Sequence, residues 1–318
     1  MKYSIITPVY NRADCVERCI QSVCAQLQDE FEIEHIIVDD GSSDSTALIV
    51  EKYEKEFGHI KFAKFPNNRG TNAARNFAIA SATGDYCIIL DSDDYFVDDA
   101  IRFIHSVVCQ NAMIKYFVFA PDDMQKYYSQ NVFLEKTQSI LKYEDFLTGK
   151  VNGDFIHVID SRIIKKYPFD ESVRIYEGVF FLRFYKDAGR ILFTNRVVTI
   201  RERSRFDSVT KEMLRINKVF IGRNIKASKI FLDWFAEDLV QIGASDVLSL
   251  HYRSLLENLL LMSDYRDARN TMISSRTLGL SIPFRYFFIY ILHLGWLYRI
   301  ALKFYLLFKY DILKMRIR

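Results

Sequence analysis

Three carboxylates in four residues, Asp91-Ser92-Asp93-Asp94, follow directly on the apolar run Tyr86 to Leu90. Charges of one sign this close repel unless a cation sits among them. A hard divalent ion, Mg²⁺ or Mn²⁺, held by one or two carboxylates and by substrate phosphates would relieve that repulsion. The plainer alternative is an acidic turn, since Asp suits turns and helix caps. Asp39-Asp40 stands in the same relation to the run Ile33 to Val38. A carboxylate there could accept hydrogen bonds from a nucleobase N–H or a ribose hydroxyl, although Asp-Gly-Ser-Ser is equally good turn chemistry. A third cluster, Asn68-Arg69-Gly70-Thr71-Asn72-Ala73-Ala74-Arg75-Asn76, opens an Ala-rich stretch. Gly70 permits a tight turn into a helix, whose first N–H groups suit an anionic or polar ligand. Arg75 lies one turn in and could reach a base or phosphates, unless it is an ordinary surface arginine.

The elements that must position these groups follow from periodicity. Tyr3 to Thr7, ended by Pro8, reads as a buried strand. Cys15, Val16, Cys19, Ile20 and Val23 recur at helical spacing between Arg12 and Gln26. Ile33 to Val38 is a second strand, and Asp44 or Ser45 caps a helix running to about Phe57. Ile60 to Phe65 is a third strand, Thr71 to Ser81 a helix closed by Gly84, and Tyr86 to Leu90 a fourth strand. Strands alternating with helices predict βαβ units and a parallel sheet covered on both faces. Ligands of such sheets bind beyond the carboxyl ends of the strands. The polar clusters at 7–12, 39–43 and 91–94 all lie there. From about 100 to 200 the pattern loosens, with strand-like Tyr116 to Ala120 and Phe193 to Ile200 and a helix around Glu177 to Lys186. After Arg201 the chain reads as helical and basic. The expected division is an α/β catalytic domain over 1–205 and a helical region over 206–318.

Taken in order, Thr7-Pro-Val-Tyr-Asn-Arg12, Val38-Asp-Asp-Gly-Ser-Ser-Asp44, Asn68-x-Gly-x-Asn-x-Ala-Arg-Asn76, Ala82-Thr-Gly-Asp-Tyr86 and Leu90-Asp-Ser-Asp-Asp94 form a series. It resembles family 2 of the glycosyltransferases, inverting enzymes of GT-A fold. The resemblance is strong over 1–100, fair to about 200 and absent beyond. It implies a Rossmann-like, mostly parallel sheet flanked by helices, here with a helical C-terminal extension, and a UDP-sugar donor. Thr7, Asp39 and Arg75 would be the base-recognition set, with Asp40 and Asp91 near the ribose and diphosphate. Pro8, Tyr10, Asn11, Asn68, Gly70 and Ser92 would complete the donor site. Asp93 would be the main ligand of Mn²⁺ or Mg²⁺, with Asp91 bound directly or through water. The family's general base heads a helix as an acidic pair after a Phe-Asp-Glu stretch. Here Phe169-Asp170-Glu171 is followed by Tyr176-Glu177-Gly178, so Glu177 takes the first position and Gly178 replaces the aspartate. Glu177 is the expected base, Asp170 or Glu171 the alternatives, and loss of activity a third reading. The implied reaction is inverting transfer to a hydroxyl of a glycan acceptor, lipid-linked, in bacterial surface polysaccharide synthesis. The rivals are transfer to a polyprenyl phosphate, or a non-catalytic nucleotide-sugar-binding or membrane-scaffold role.

The chain as a whole bounds these readings. Its 318 residues are half apolar and carry a net charge of only +3, so no nucleic-acid partner is expected. Five cysteines, Cys15, Cys19, Cys24, Cys87 and Cys109, make an odd number without a CxxC pair. They read as small buried hydrophobes in a reducing compartment. Asn11, Arg12 and Asp14 interrupt the first apolar run too early for a signal peptide, so a cytoplasmic protein is expected. His157 and His251 stand alone in apolar stretches and read as structural. Arg201-Glu-Arg-Ser-Arg205 could grip phosphates or be a solvated loop. Residues 279–318 hold seven basic residues and one acidic, Asp311. Their longest uncharged stretch, Tyr286 to Tyr298, is thirteen residues, short of the roughly twenty of a membrane span. On one helix, Arg285, Arg299, Lys303, Lys314 and Arg318 would share a stripe, Lys309 and Arg316 would not, and Gly295 or Asp311 would be the breaks. A basic amphipathic segment over about 283–318 suits an anionic membrane, giving a peripheral enzyme on the inner face of the plasma membrane. The alternative is packing on its own domain or in a homodimer.

Overall fold

Apolar runs that stop at acidic or glycine-rich loops form the first four strands: β1 (Lys2–Val9), β2 (Glu32–Asp39), β3 (Ile60–Lys64) and β4 (Tyr86–Ile89). They lie parallel in the order β3-β2-β1-β4. Val9 is level with Asp39, and Ile6 with Ile89, so the loops after β1, β2 and β4 emerge along one edge. The helices between them are α1 (Val16–Cys24), α2 (Thr46–Glu56) and α3 (Thr71–Ser81). α3 lays Ala73, Ala74 and Ala78, all buried, toward β1 and β2; small side chains let the helix lie close. This structure, a computed structural model, describes residues 1–173, 176–202, 217–306 and 308. It divides into two compact units, Met1–Arg205 and Phe206–Arg318.

The rest of the first unit completes the sheet and is less regular. β5 (Tyr95–Phe96), β6 (Tyr116–Pro121), β7 (Gln138–Lys142), β8 (Ile156–Asp160) and β9 (Arg190–Ile200) extend it to the order β3-β2-β1-β4-β8-β6-β9-β5, with β7 also on β9. β8 runs antiparallel to β4 and β6, while β6 and β9 are parallel. The added half is therefore mixed. Helices α4 (Ala100–Gln110), α5 (Gln125–Tyr128), α6 (Tyr143–Leu147), α7 (Ser161–Lys166) and α8 (Glu177–Ala188) connect it. One large core joins Tyr3, Ile5, Ile88 and Leu90 to Ile101, Ile104 and Phe119, and a smaller one joins Val16, Ile20, Ile37 and Val50. Pairing of β5 with the end of β9 sets Tyr95 opposite Ile200, which returns Arg201 to the acidic loop after β4. The cysteines are free thiols; Cys15, Cys19 and Cys87 are buried, and Cys109 is exposed.

The second unit is helical: Lys218–Gln241, Ser245–Met262, Tyr265–Thr277, Phe284–Ile291 and Gly295–Leu306. Phe231, Phe235, Leu239, Leu248 and Leu256 are buried between its elements. His251 stacks on Phe231 at 3.6 Å, and burial lowers its pKa to about 4. The C-terminal segment departs from the single basic helix expected of it. Phe284–Ile291 ends at Leu292, His293 takes φ +53°, and a new helix begins at Gly295. A Cβ on Gly295 would meet the Leu260 carbonyl oxygen at 2.0 Å, so close packing on the helix Ser245–Met262 sets the break. Arg285 and Arg299 consequently lie on different helices, and Arg299 donates to the Leu261 carbonyl at 2.9 Å. Lys309, Asp311, Lys314, Arg316 and Arg318 lie outside the described residues. Among the described residues no helix is long and apolar enough to cross a membrane.

Candidate active site

The loops after β1 and β2 are stitched together by short polar side chains. Asn11, in the left-handed region at φ +50°, donates its N–H to Ser42 Oγ at 2.8 Å and accepts the Ser43 N–H at 2.9 Å. Pro8 is buried at the end of β1, and the Tyr10 ring beside it is exposed. Asp39, fully buried, accepts the Ser42 N–H on Oδ1 at 2.8 Å. Its Oδ2 lies 3.7 Å from Lys64 Nζ and has no hydrogen-bond partner among the described residues. A buried acceptor without a hydrogen bond is costly, and the ion pair with Lys64 offsets only part of that cost, so this oxygen is a place where a ligand N–H would be stabilised. Thr7 sits deeper. Its hydroxyl is 2.9 Å from Nε2 of His35, whose burial drops its pKa to about 3 and keeps the ring neutral. Asp40, expected beside ribose and diphosphate, has both oxygens engaged, by the N–H groups of Arg69 at 2.6 Å and Gly70 at 2.8 Å. It shapes the turn holding exposed Asn68 and the start of α3, where Gly70 has φ +100°.

Arg75 is the centre of the site. Only 6 % exposed, it donates from Nη2 to Asp91 Oδ1 at 2.8 Å and from Nη1 to Glu177 Oε1 at 2.9 Å. Burial opposes its charge, but the two carboxylates outweigh burial and raise its pKa above the ordinary value. The guanidinium thus ties the acidic loop to the first residue of α8. Two asparagines on α3 make that possible. Asn72 donates to the carbonyls of Asp170 at 3.0 Å and Val173 at 2.7 Å. Asn76 exchanges two hydrogen bonds with the Phe169 backbone, at 2.8 and 2.9 Å. Sequence reasoning placed Asn72 and Asn76 within a motif but gave them no task. The available signal was their i, i+4 spacing, which puts two amides on the same face of one helix.

In the acidic loop, Ser92 is buried and Asp91 is half exposed beside Arg75. The main-chain oxygen of Asp93 accepts from Arg18, whose guanidinium also lies over the Tyr95 ring and 3.5 Å from Glu202. Burial, with Asp91 and Asp93 close by, pushes the Asp94 carboxyl up to about 8 against the pull of Arg201. Among the described residues no three His, Cys, Asp or Glu side chains form a metal cluster. Mg²⁺ or Mn²⁺, which takes one or two carboxylates and completes its shell with water and phosphates, fits Asp91 and Asp93.

On the opposite side, Glu177 is about one-third exposed and opens α8 with Tyr176 before it. Asp170 accepts the Ser172 N–H at 2.8 Å, also holds the Ser172 hydroxyl, and so closes its own turn. Glu171 pairs with Arg69 at 3.0 Å. At Gly178 an added Cβ meets nothing within 4 Å. His157 stacks flat on Phe181 at 3.8 Å and touches the Tyr116 hydroxyl through Nδ1 at 3.0 Å. Burial, then Arg75 and Arg201, drop its pKa to about 3, which suits a packed ring and not a proton acceptor at neutral pH. Arg201 is tied to Asp123 at 3.2 Å and Asp154 at 3.1 Å; it organises the wall behind Asp94. Arg203, Ser204 and Arg205 lie outside the described residues.

Residues 4–168 match the pattern of glycosyl transferase family 2. The chain is 27 % identical over 281 residues to the GalNAc(5)-diNAcBac-PP-undecaprenol beta-1,3-glucosyltransferase of Campylobacter jejuni, covering 86 % of this chain and 80 % of that one. Some other curated relatives are much longer, and the match covers 16 % of one to which the chain is 38 % identical over 102 residues. In structure it is similar to Staphylococcus aureus TarS 1–349 in complex with UDP-GlcNAc, with a TM-score of 0.56 and 18 % identity over 89 % of this chain and 93 % of that one. It is also similar to the mannosyltransferase PcManGT of Pyrobaculum calidifontis in complex with GDP-Man and Mn²⁺, with a TM-score of 0.55 and 16 % identity over 92 % of this chain and 87 % of that one. The mixed sheet flanked by helices is the GT-A fold, followed by a helical C-terminal region.

Proposed function

The chain belongs to glycosyl transferase family 2, and on that premise we propose that it moves a hexose or N-acetylhexosamine from a UDP-sugar, with inversion, to a hydroxyl of a lipid-linked glycan in bacterial surface polysaccharide synthesis. The observation that carries this reading is the Arg75 bridge between Asp91 on the donor side and Glu177 on the acceptor side. The oxygen of buried Asp39 that accepts no hydrogen bond suits the imide N–H of uracil, and exposed Tyr10 offers a ring for the base to lie against. Asp91 and Asp93 would hold a divalent ion, which would supply positive charge to the diphosphate of the leaving group; the complex of the Pyrobaculum mannosyltransferase with Mn²⁺ supports that choice. The name of the Campylobacter relative supports an acceptor carried on undecaprenol diphosphate.

Chemically, the acceptor oxygen forms a bond to the anomeric carbon from the face opposite UDP while the bond to the diphosphate oxygen breaks. The hydroxyl proton passes to Glu177, whose Oε1 is held by Arg75 and whose Oε2 is left to accept it. Arg75 keeps that carboxylate oriented and the acidic loop in register with it. No nucleophile on the protein is needed.

A thermal-shift screen of nucleotide-sugars with Mn²⁺ or Mg²⁺ tests the donor. A UDP-sugar at about 100 times its dissociation constant should add about 2.7 kcal/mol of stability. Asp93→Ala should keep the fold and lose the metal-dependent part of that gain. If metal-dependent stabilisation survives Asp93→Ala, the metal assignment fails; if no UDP-sugar stabilises the protein, the donor assignment fails.

A further inference from the structure

The two C-terminal helices pack the wrong way round for a globular domain. Helix 284–291 buries Tyr286 and turns Phe284, Phe287, Phe288 and Ile291 to the outside, with Leu292 continuing the row. Those positions follow i, i+3, i+4, i+7 and i+8, the pattern of one continuous apolar face. Helix 295–306 repeats the arrangement. Its inner side meets the helix Ser245–Met262 through Gly295, through Tyr298, which bonds Glu257, and through Arg299 on the Leu261 carbonyl. Its outer side carries Trp296, Leu297, Ile300 and Phe304, and Phe304 is 70 % exposed. Tyr286, Tyr298 and Arg299 are used for internal packing, and the phenylalanines, Trp296 and the aliphatic side chains named above face out. Large contiguous apolar patches of this kind mark interaction surfaces.

The charge around the patch selects the occupant. No Asp or Glu lies between Asp267 and Asp311, whereas Arg269, Arg276, Arg285, Arg299 and Lys303 do. Arg285 and Lys303 are exposed at the margins of the two apolar faces. Aromatic rings flanked by cations, with no Asp or Glu on either helix and Glu257 turned to the inner side by its bond from Tyr298, match the boundary between anionic headgroups and acyl chains. Neither helix is long enough to cross a bilayer. We infer that residues 284–306 form a helical hairpin that lies in one leaflet of an anionic membrane, with its outer aromatic face in the acyl region and Arg285 and Lys303 at the headgroups. The hairpin would keep the protein on the surface that carries a lipid-linked acceptor. In that respect it deepens the proposed function, while its physics stands on the second unit alone.

The test uses the full chain and vesicles of phosphatidylcholine, with or without phosphatidylglycerol. The protein has two tryptophans, so Trp234→Phe leaves Trp296 as the reporter on an unaltered outer face. Its emission should shift to the blue on anionic vesicles and be quenched by brominated acyl chains; an unchanged spectrum overturns the proposal. Phe284→Ser with Phe304→Ser should weaken flotation with anionic vesicles by about tenfold or more for each ring removed, while UDP-dependent thermal stabilisation is retained. Undiminished flotation overturns the proposal. So does a native protein that ignores vesicles but forms a dimer that these substitutions dissociate, because the face would then be covered by a second copy. Equal binding to phosphatidylcholine alone overturns the part given to Arg285 and Lys303. Loss of UDP binding with intact flotation would count against the donor site and leave the hairpin standing.

Discussion

Arg75 is a buried cation with a carboxylate on either side, and each carboxylate keeps an open face toward solvent. A buried charge of this kind persists only when it is paired. Its partners, Asp91 and Glu177, are the two groups through which donor and acceptor chemistry would meet. Glu177→Gln preserves the shape and one hydrogen bond from Arg75 but removes the proton acceptor. It should leave UDP-sugar stabilisation intact and lower the transfer rate by about 10²–10⁴. Asp170→Asn and Glu171→Gln should cost less, since Asp170 closes its own turn and Glu171 pairs with Arg69. Single-turnover rates of the three variants decide the matter, and a near-normal rate for Glu177→Gln moves the role elsewhere. Gly178→Asp, with open space at its Cβ, should fold with an unchanged melting temperature.

One scale up, the site depends on how α3 holds a loop that arrives about a hundred residues later. Asn72 and Asn76 supply four hydrogen bonds to the backbone of residues 169–173. Each bond contributes about 1 kcal/mol net, and a buried carbonyl left unpaired costs more. Asn72→Ala should therefore destabilise the protein by about 2 kcal/mol in urea titrations. Its kinetic signature should be a fall in kcat with little change in the KM for the UDP-sugar, because the loop leads to Glu177 and not to Asp39. A rise in that KM alone would contradict this division. The elements of the parallel half were legible from strand and helix periodicity. β5, β7 and β8 were not, since β5 has two residues, β7 alternates weakly, and β8 hides in an apolar run around His157. β9 is also irregular against β6, with register shifts between Phe119 and Pro121.

Across the first unit, one carboxylate at the opposite end of the sheet should contribute strongly to acid stability, beside smaller contributions from Asp44 and Asp160, whose hydrogen bonds also lower their pKa. Glu34 accepts hydrogen bonds from Ser4 at 2.6 Å, Lys61 at 2.6 Å and Thr83 at 2.5 Å, so it joins β1, β2, β3 and the loop before β4. Burial alone would raise its pKa, but these bonds prevail and hold it at about 2. An unfolded Glu titrates near ~4.3. The depressed native value therefore contributes stability that is fully present above that pH and lost as pH falls toward 2. Glu34→Gln should reduce stability at pH 7 by on the order of 3 kcal/mol, with the deficit shrinking between about pH 5 and pH 2; a deficit independent of pH would refute the account. At this scale the roles of sequence and structure separate. Strand, loop and helix periodicity over residues 1–100 determined the parallel sheet and brought the donor motifs to one edge, because each motif sits at the end of its own strand and needs only local order. The partners of Arg75 lie 16 and 102 residues away in the chain, and no local pattern encodes such contacts. The C-terminal helices carry an amphipathic pattern in their sequence, yet only the packing of Gly295 against Leu260 decided that the aromatic face looks outward. Periodicity gives a helix two faces; the space left by its neighbours chooses which one is buried.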